Sequence, residues 1–307
     1  MGWTPAQLPD LSDKTYVITG GNSGLGHEAS KILVAKGAKV VITARSEDKA
    51  KAAMEAVRAQ TPGADIGFVA LDLSVQASVK EAAARLVEDL PRIDAVINNA
   101  GVMQTPERRT DEGWELQLAT NHIGHFKLDS LLFPTIEASK GRIVAVSSIA
   151  HKFGKIDLDD LHSEKSYDPT RAYSQSKLAN IMYAFELQRR LTERESPATA
   201  YASHPGYSDT NLQTAGVGME GGSWFFRGLY SITNKVMAQT AEQGSYPLVL
   251  AAAWPEAEPG AYYGPTGLAD TRGPVGKSTV AERARDKEVA RQLWERTEDL
   301  VGPFFAD

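Results

Sequence analysis

Residues 15–26 read Thr15-Tyr16-Val17-Ile18-Thr19-Gly20-Gly21-Asn22-Ser23-Gly24-Leu25-Gly26, a short apolar run followed by a glycine-rich turn that opens an amphipathic segment. An apolar run of this length suits a buried strand, and apolar residues at three and four spacing after it suit a helix. Gly20 permits the tight turn, Gly24 lets a pyrophosphate approach the backbone, and Gly26 allows the helix to pack closely on the sheet. Around Asn22, Ser23 and Leu25 the helix start then offers unpaired N–H groups to the anion. Glycine turns occur everywhere; the strand before and the helix after make this one read as a dinucleotide site.

The same alternation runs outward almost to the carboxyl end. Apolar runs at Tyr16–Thr19, Val40–Thr43, Phe68–Leu71, Ala95–Ile97, Ile143–Val146, Thr199–Ala202 and Ala261–Tyr263 predict seven strands. Helical stretches are predicted near residues 25–36, 46–59, 75–89, 112–138, 173–194, 238–253 and 280–300. Strand and helix in alternation predict an α/β protein: a Rossmann-type, doubly wound parallel sheet with helices on both faces, in a single domain. Two segments break the rhythm, 149–170, rich in Asp, His and Lys, and 207–237, which carries four glycines before Trp224-Phe225-Phe226. Both follow strands at the carboxyl edge of the sheet, where such proteins bind ligands.

The second strand ends Thr43-Ala44-Arg45, where an NAD-specific enzyme usually places a carboxylate for the adenosine 2'-hydroxyl. Ala44 offers none. Arg45 instead presents a guanidinium suited to the 2'-phosphate of NADP, with Ser46 and Lys49 nearby, although a surface arginine opening a helix would look the same.

Bulk composition narrows the function classes. The 307 residues, 42% hydrophobic, suffice for a large core. A net charge of -6, pI near 5.6 and scattered basic residues argue against a nucleic-acid partner. There is no cysteine, which removes disulfides, thiolate metal sites and thiol nucleophiles together and fits a reducing cytosol. Residues 1–13 lack a basic and an apolar targeting region, and no run of about 18 apolar residues follows, so a cytoplasmic protein without a membrane anchor is expected. His122 and His125, three apart, lack an obvious third ligand, and Asp157, Asp159 and Asp160 read as a solvated acidic run; no metal is expected.

The chemistry is carried by Tyr173-Ser174-Gln175-Ser176-Lys177, whose phenol and ammonium share one face of a predicted helix. A phenol titrates near ~10, and using it as acid and base at neutral pH costs roughly 3 to 4 kcal/mol. One unit charge at about 4 Å, at an effective dielectric near 20, supplies roughly 4 kcal/mol. A packed ring beside a solvated charge would show the same spacing.

Taken in order, Gly20, Gly24, Gly26, Asn98-Asn99-Ala100-Gly101, Asn121, Ser148, Tyr173 and Lys177 resemble the motifs of the short-chain dehydrogenase/reductase family, over about residues 13–265. The glycine spacing and Tyr-x-x-x-Lys are similar to its classical branch. Ser176-Lys177-Leu178-Ala179-Asn180 is similar to the retinol-dehydrogenase-like and protochlorophyllide-reductase-like subset. The resemblance implies that Asp72 and Leu73 meet the adenine, that Asn99, Ala100 and Gly101 lie along the cofactor, and that Pro205, Gly206 and Thr210 flank the nicotinamide. Ser208 stands where an apolar residue is often found. Ser148 and Tyr173 are 25 positions apart (173 minus 148), about twice the shorter members' spacing, so 149–170 is an insertion of the kind retinol-dehydrogenase-like relatives carry.

These readings imply NADP(H)-dependent, reversible reduction of a carbonyl, with Tyr173 as proton donor and Lys177 tuning it and bonding the nicotinamide ribose. Ser148, at the end of the fifth strand, would hydrogen-bond the substrate oxygen, and Ser147 would point away. Asn121, by resemblance alone, would distort its helix and hold a water that resupplies the proton. Trp224, Phe225, Phe226, Leu229, Tyr230 and Ile232 suggest a lid over a hydrophobic ketone or aldehyde, or a helix packed on the body or another subunit. His151 and Phe153 are candidates for the pocket's other wall, with a solvent-facing place the equal alternative for His151. The resemblance also implies a homodimer or homotetramer, which an added helix at 280–300 would alter. The alternative is a non-catalytic NADP-binding sensor or scaffold.

Overall fold

A computed structural model describes residues 2–207 and 239–305. Strands β1 (Thr15–Thr19), β2 (Lys39–Ala44), β3 (Ile66–Ala70), β4 (Ala95–Asn98), β5 (Arg142–Val146), β6 (Thr199–Ser203) and β7 (Tyr262–Gly267) pair in parallel in the order β3-β2-β1-β4-β5-β6-β7. The strand order reverses between β1 and β4, so the crevice of a doubly wound sheet opens at their carboxyl ends.

The helices are α1 (Gly24–Ala35), α2 (Glu47–Gln60), α3 (Gln76–Asp89), α4 (Gly124–Ala138), α5 (Pro169–Glu193), α6 (Ala241–Ala253) and α7 (Lys287–Val301). Side-chain alternation along the strands decides what they cover. Val17, Val41, Val96 and Ile143 project to one face and are packed by α3, α4, α5 and α7. Tyr16, Ile18, Ile42, Ile97 and Val144 project to the other and are packed by α1, α2 and α6. Two buried cores thus sandwich one sheet in a single domain.

An eighth strand, β8 (Arg272–Lys277), runs antiparallel to β7 at the edge, so the expected count of seven is corrected to eight. Its sequence, Arg-Gly-Pro-Val-Gly-Lys, lacks the apolar alternation of the others, and proline and glycine are tolerated there because an edge strand need not donate on both sides. The helix expected at 112–138 is also corrected. One helical turn at Leu116–Leu118 passes into a π turn at Ala119–Ile123 before α4 begins. α5 starts earlier than expected, at Pro169, because Asp168 caps it by accepting from the Arg171 N–H at 2.7 Å and proline suits the first position. Within 149–170, residues Ile149–Phe153 form a 3-10 turn.

At the carboxyl end the stretch expected at 280–300 divides into a 3-10 turn, Glu282–Arg285, and α7, which lays Trp294 against Tyr183 of α5 (5.9 Å between ring centres) and Phe126 of α4 (4.8 Å). Among the described residues no helix is long and apolar enough to cross a membrane.

Candidate active site

The glycine turn closes β1 onto α1 with the conformations that its sequence demands. Gly20 and Gly24 have positive φ, 65° and 55°. A Cβ on Gly26 would lie 2.6 Å from Asn99 Nδ2 and 2.8 Å from the Gly20 carbonyl oxygen, so only glycine fits. Asn99 Nδ2 in turn donates to the Thr19 and Gly20 carbonyls at 2.8 and 3.3 Å, tying the end of β4 to the turn. Ser23 precedes α1 without capping it through its side chain, which leaves the helix's first amides available to an anion.

From this turn a cleft of about 740 Å³ runs along the carboxyl edge of the sheet. Gly20, Asn22, Ser23, Gly24 and Leu25 form its floor, with Asn99, Ala100 and Gly101 at one end and Asp72, Leu73 and Arg45 toward the other. Buried Gly26 supports the floor from below. The dimensions and the bare backbone fit a dinucleotide. Asp72 is already engaged, its Oδ1 accepting from Ser74 N and Oγ at 3.0 and 2.6 Å. Exposed Arg45 lies beside Ser46 and Lys49, and among the described residues neither cation has an ion-pair partner. The acid next in sequence, Glu47, is paired instead with Lys51 at 2.8 Å.

Tyr173 and Lys177 lie on the first turns of α5, and both are buried. Lys177 Nζ stands 5.9 Å from the Tyr173 ring centre and donates to the Val146 carbonyl at 3.1 Å. Burial alone pushes the Lys177 ammonium down to about 8. Ser147 does point away from the cleft, donating to the Lys177 carbonyl at 2.6 Å and so pinning the exit of β5 to α5. Ser148 is half-buried and lies two residues beyond β5, as the cap of the following 3-10 turn, its Oγ accepting from Ala150 N at 3.2 Å.

Asn121 sits at the centre of the π turn, fully buried, the local distortion expected of it. Its Oδ1 accepts from Val102 N at 2.8 Å, while its Nδ2 donates to the Val102 carbonyl at 3.0 Å and to Ser176 Oγ at 2.9 Å. Ser176 Oγ donates onward to the Tyr173 carbonyl at 2.8 Å. The side chain is therefore occupied in joining the Val102 loop to α5. A Cβ on Gly101 would lie 2.9 Å from Asn121 Oδ1 and 3.5 Å from Lys177 Nζ, so the cleft's inner end, the π turn and the lysine converge at this glycine.

Pro205 and Gly206 follow β6, with Gly206 at φ 71° and close against Thr271 and Gln239. Ser208, Thr210 and the aromatic cluster from Trp224 to Ile232 lie outside the described residues. His151 is buried: its Nδ1 meets the Ser148 carbonyl at 2.7 Å and its Nε2 accepts from Ala281 N at 3.2 Å. Phe153 is 80% exposed. His122 bonds Thr297 through Nε2 at 3.1 Å, a structural contact between α7 and the π turn. Ser176 enters the sequence reading only as part of a family motif, and its bond to Asn121 comes from the fold; His125, for which the sequence favours a structural role over metal ligation, is buried and hydrogen-bonded at both ring nitrogens. The spacing of four between Asn121 and His125 was the available signal.

Comparison with known proteins points to one family. The sequence model of the short chain dehydrogenase family matches residues 14–218. Human retinol dehydrogenase 13 is 35% identical over 95% of this chain and 86% of its own length. Mouse polyprenol dehydrogenase is 34% identical over 97% of this chain and 87% of its own length. A crystal structure of an uncharacterized protein from Mycobacterium paratuberculosis superposes with a TM-score of 0.81 at 36% identity, covering 100% of both chains.

Proposed function

Since this chain belongs to the short-chain dehydrogenase family, in its retinol-dehydrogenase-like subset, we propose that it is an NADP(H)-dependent oxidoreductase interconverting a hydrophobic aldehyde or ketone and its alcohol. The family works with nicotinamide cofactors, and when bound the nicotinamide supplies or accepts the hydride. The remaining chemistry falls to the chain. Tyr173 gives its phenolic proton to the carbonyl oxygen during reduction and takes it back during oxidation. Ser148, at the mouth of its turn, hydrogen-bonds the same oxygen as charge develops.

One observation carries this reading: the buried ammonium of Lys177 lies 5.9 Å from the Tyr173 ring and beside Gly101, a residue of the cleft wall. A cation held beside the ring favours the anionic form of the phenol over the neutral one. The exposed Arg45, with Ala44 where a carboxylate would repel a phosphate, supports NADP over NAD. An apolar substrate accords with the relatives, whose names specify retinol and polyprenol, both long apolar alcohols.

The test is oxidation of NADPH and of NADH, run in parallel over aliphatic, aromatic, retinoid and steroid carbonyls. Turnover with NADPH on apolar members of the set is expected. Binding of NADPH without turnover on any carbonyl or alcohol would overturn the catalytic reading, and preference for NADH would overturn the cofactor assignment.

A further inference from the structure

Beneath the cleft a row of buried polar groups joins the glycine turn to the Asn121 turn, and the chemistry above makes no use of it. Thr19 is the last residue of β1, immediately before Gly20, and is fully buried. Its Oγ1 accepts from Ala100 N at 2.9 Å and lies 2.8 Å from His125 Nε2. On the other edge of the imidazole, Nδ1 stands 3.0 Å from the Asn121 carbonyl oxygen.

The direction of each bond follows from valence. A carbonyl oxygen only accepts, so Nδ1 carries the ring proton. Burial pushes the His125 imidazolium down to about 3, so the ring is neutral and Nε2 is left as an acceptor. The Thr19 hydroxyl, whose other acceptor in reach is the Ile97 carbonyl at the longer 3.4 Å, then donates to Nε2 at 2.8 Å. Ala100 N–H, Thr19 Oγ1–H and His125 Nδ1–H therefore point the same way, and the row ends on the Asn121 carbonyl.

The two ends of this row are the two walls that must keep register during catalysis. Ala100 lines the cleft beside the glycine turn, and the Asn121 side chain holds Val102 and Ser176, the latter bonded to the Tyr173 carbonyl. We infer that His125 is a positioning residue: through its two ring nitrogens it sets the Asn121 turn, and with it the Tyr173 helix, against the dinucleotide cradle. The inference rests on the reading of the cleft as a dinucleotide site serving Tyr173.

Two substitutions separate the two ring edges. His125→Asn places an amide near the Nδ1 position and keeps a donor for the Asn121 carbonyl. His125→Gln places its amide near Nε2 and keeps a partner for Thr19. Each variant would be measured for melting temperature, for NADP+ affinity by calorimetry, and for kcat and KM with whichever carbonyl the wild type reduces. The expected result is a similar loss of melting temperature in both, with kcat about tenfold lower or more in His125→Gln than in His125→Asn and the larger loss of NADP+ affinity in His125→Asn. Equal losses in both variants, scaling with melting temperature, would mean that His125 only fills the core and would overturn the inference.

Nitrogen NMR of the histidine-labelled protein reads the tautomer without any turnover. A proton on Nδ1 is expected, and a proton on Nε2 would overturn the row. Should the wild type reduce no carbonyl, the proposed activity fails, while the tautomer and the split in NADP+ affinity still decide the role of His125.

Discussion

Lys177 donates to the Val146 carbonyl at the end of β5 while its ammonium faces the Tyr173 ring at 5.9 Å, so the strand end and the helix together aim a buried cation at a buried phenol. The backbone bond fixes where the charge sits, and the helical spacing of four fixes what it sits beside.

Replacing Tyr173 with Phe removes the phenolic proton donor and keeps the ring volume. Turnover should fall by about 10²-fold to 10⁴-fold, the usual contribution of a positioned acid. NADP(H) affinity, measured by fluorescence titration, should stay near the wild-type value. Retained turnover in this variant would remove Tyr173 from the mechanism.

Lys177→Met should inactivate the enzyme yet stabilise the cofactor-free fold at pH 7. The ammonium is held down to about 8 against 10.5 in the unfolded chain. A base with a lowered folded value costs stability below that value, and the cost fades as pH rises from about 8 to 10.5, since the unfolded chain alone still binds the proton in that window. The gap corresponds to about 3 kcal/mol at pH 7 as an upper figure. Thermal melts of the two proteins should therefore differ most at pH 7 and converge toward pH 10; a gap that does not narrow would show that the lysine carries no such cost.

Arg45→Asp should lower NADPH affinity by roughly 10-fold to 100-fold, the loss of one charge-assisted hydrogen bond plus an added repulsion, and shift preference toward NADH. Dissociation constants for both cofactors measure it. An unchanged ratio would mean that Arg45 does not read the 2'-phosphate.

At Gly26 an alanine Cβ would meet Asn99 Nδ2 at 2.6 Å and the Gly20 carbonyl at 2.8 Å, the second of which is backbone and cannot swing aside. Overpacking of this kind costs about 1–3 kcal/mol, and here it also spreads the turn beneath the phosphates. Gly26→Ala should lower both the melting temperature and NADP+ affinity. Normal values of both would show that the turn relaxes without consequence.

Much of the fold was legible because its signals are local. Seven apolar runs read as strands and pair as parallel neighbours, and the glycine turn, Asn99 and the Tyr173–Lys177 spacing each lie where their local chemistry requires. β8 was not legible, since its glycines and proline are permitted only by its place at the sheet edge. Nor was the break before α4: the periodicity of 112–138 runs on unbroken, and the π turn is visible only once Asn121 reaches Val102 and Ser176 from distant segments. The burial of His151 was not legible for the same reason, its partner Ala281 being 130 residues away.

By itself the amino-acid sequence determined the seven parallel strands, the glycine turn after the first of them and the candidate pair Tyr173 and Lys177, because hydrophobic periodicity, glycine conformation and helical spacing act over a few residues. Only the tertiary structure decided how the pair is charged and held: the desolvation of Lys177, the full engagement of the Asn121 side chain and the His125 row from Thr19 to Asn121. Burial and hydrogen-bond satisfaction are properties of what surrounds a residue, and those surroundings come from parts of the chain that sequence order keeps far apart.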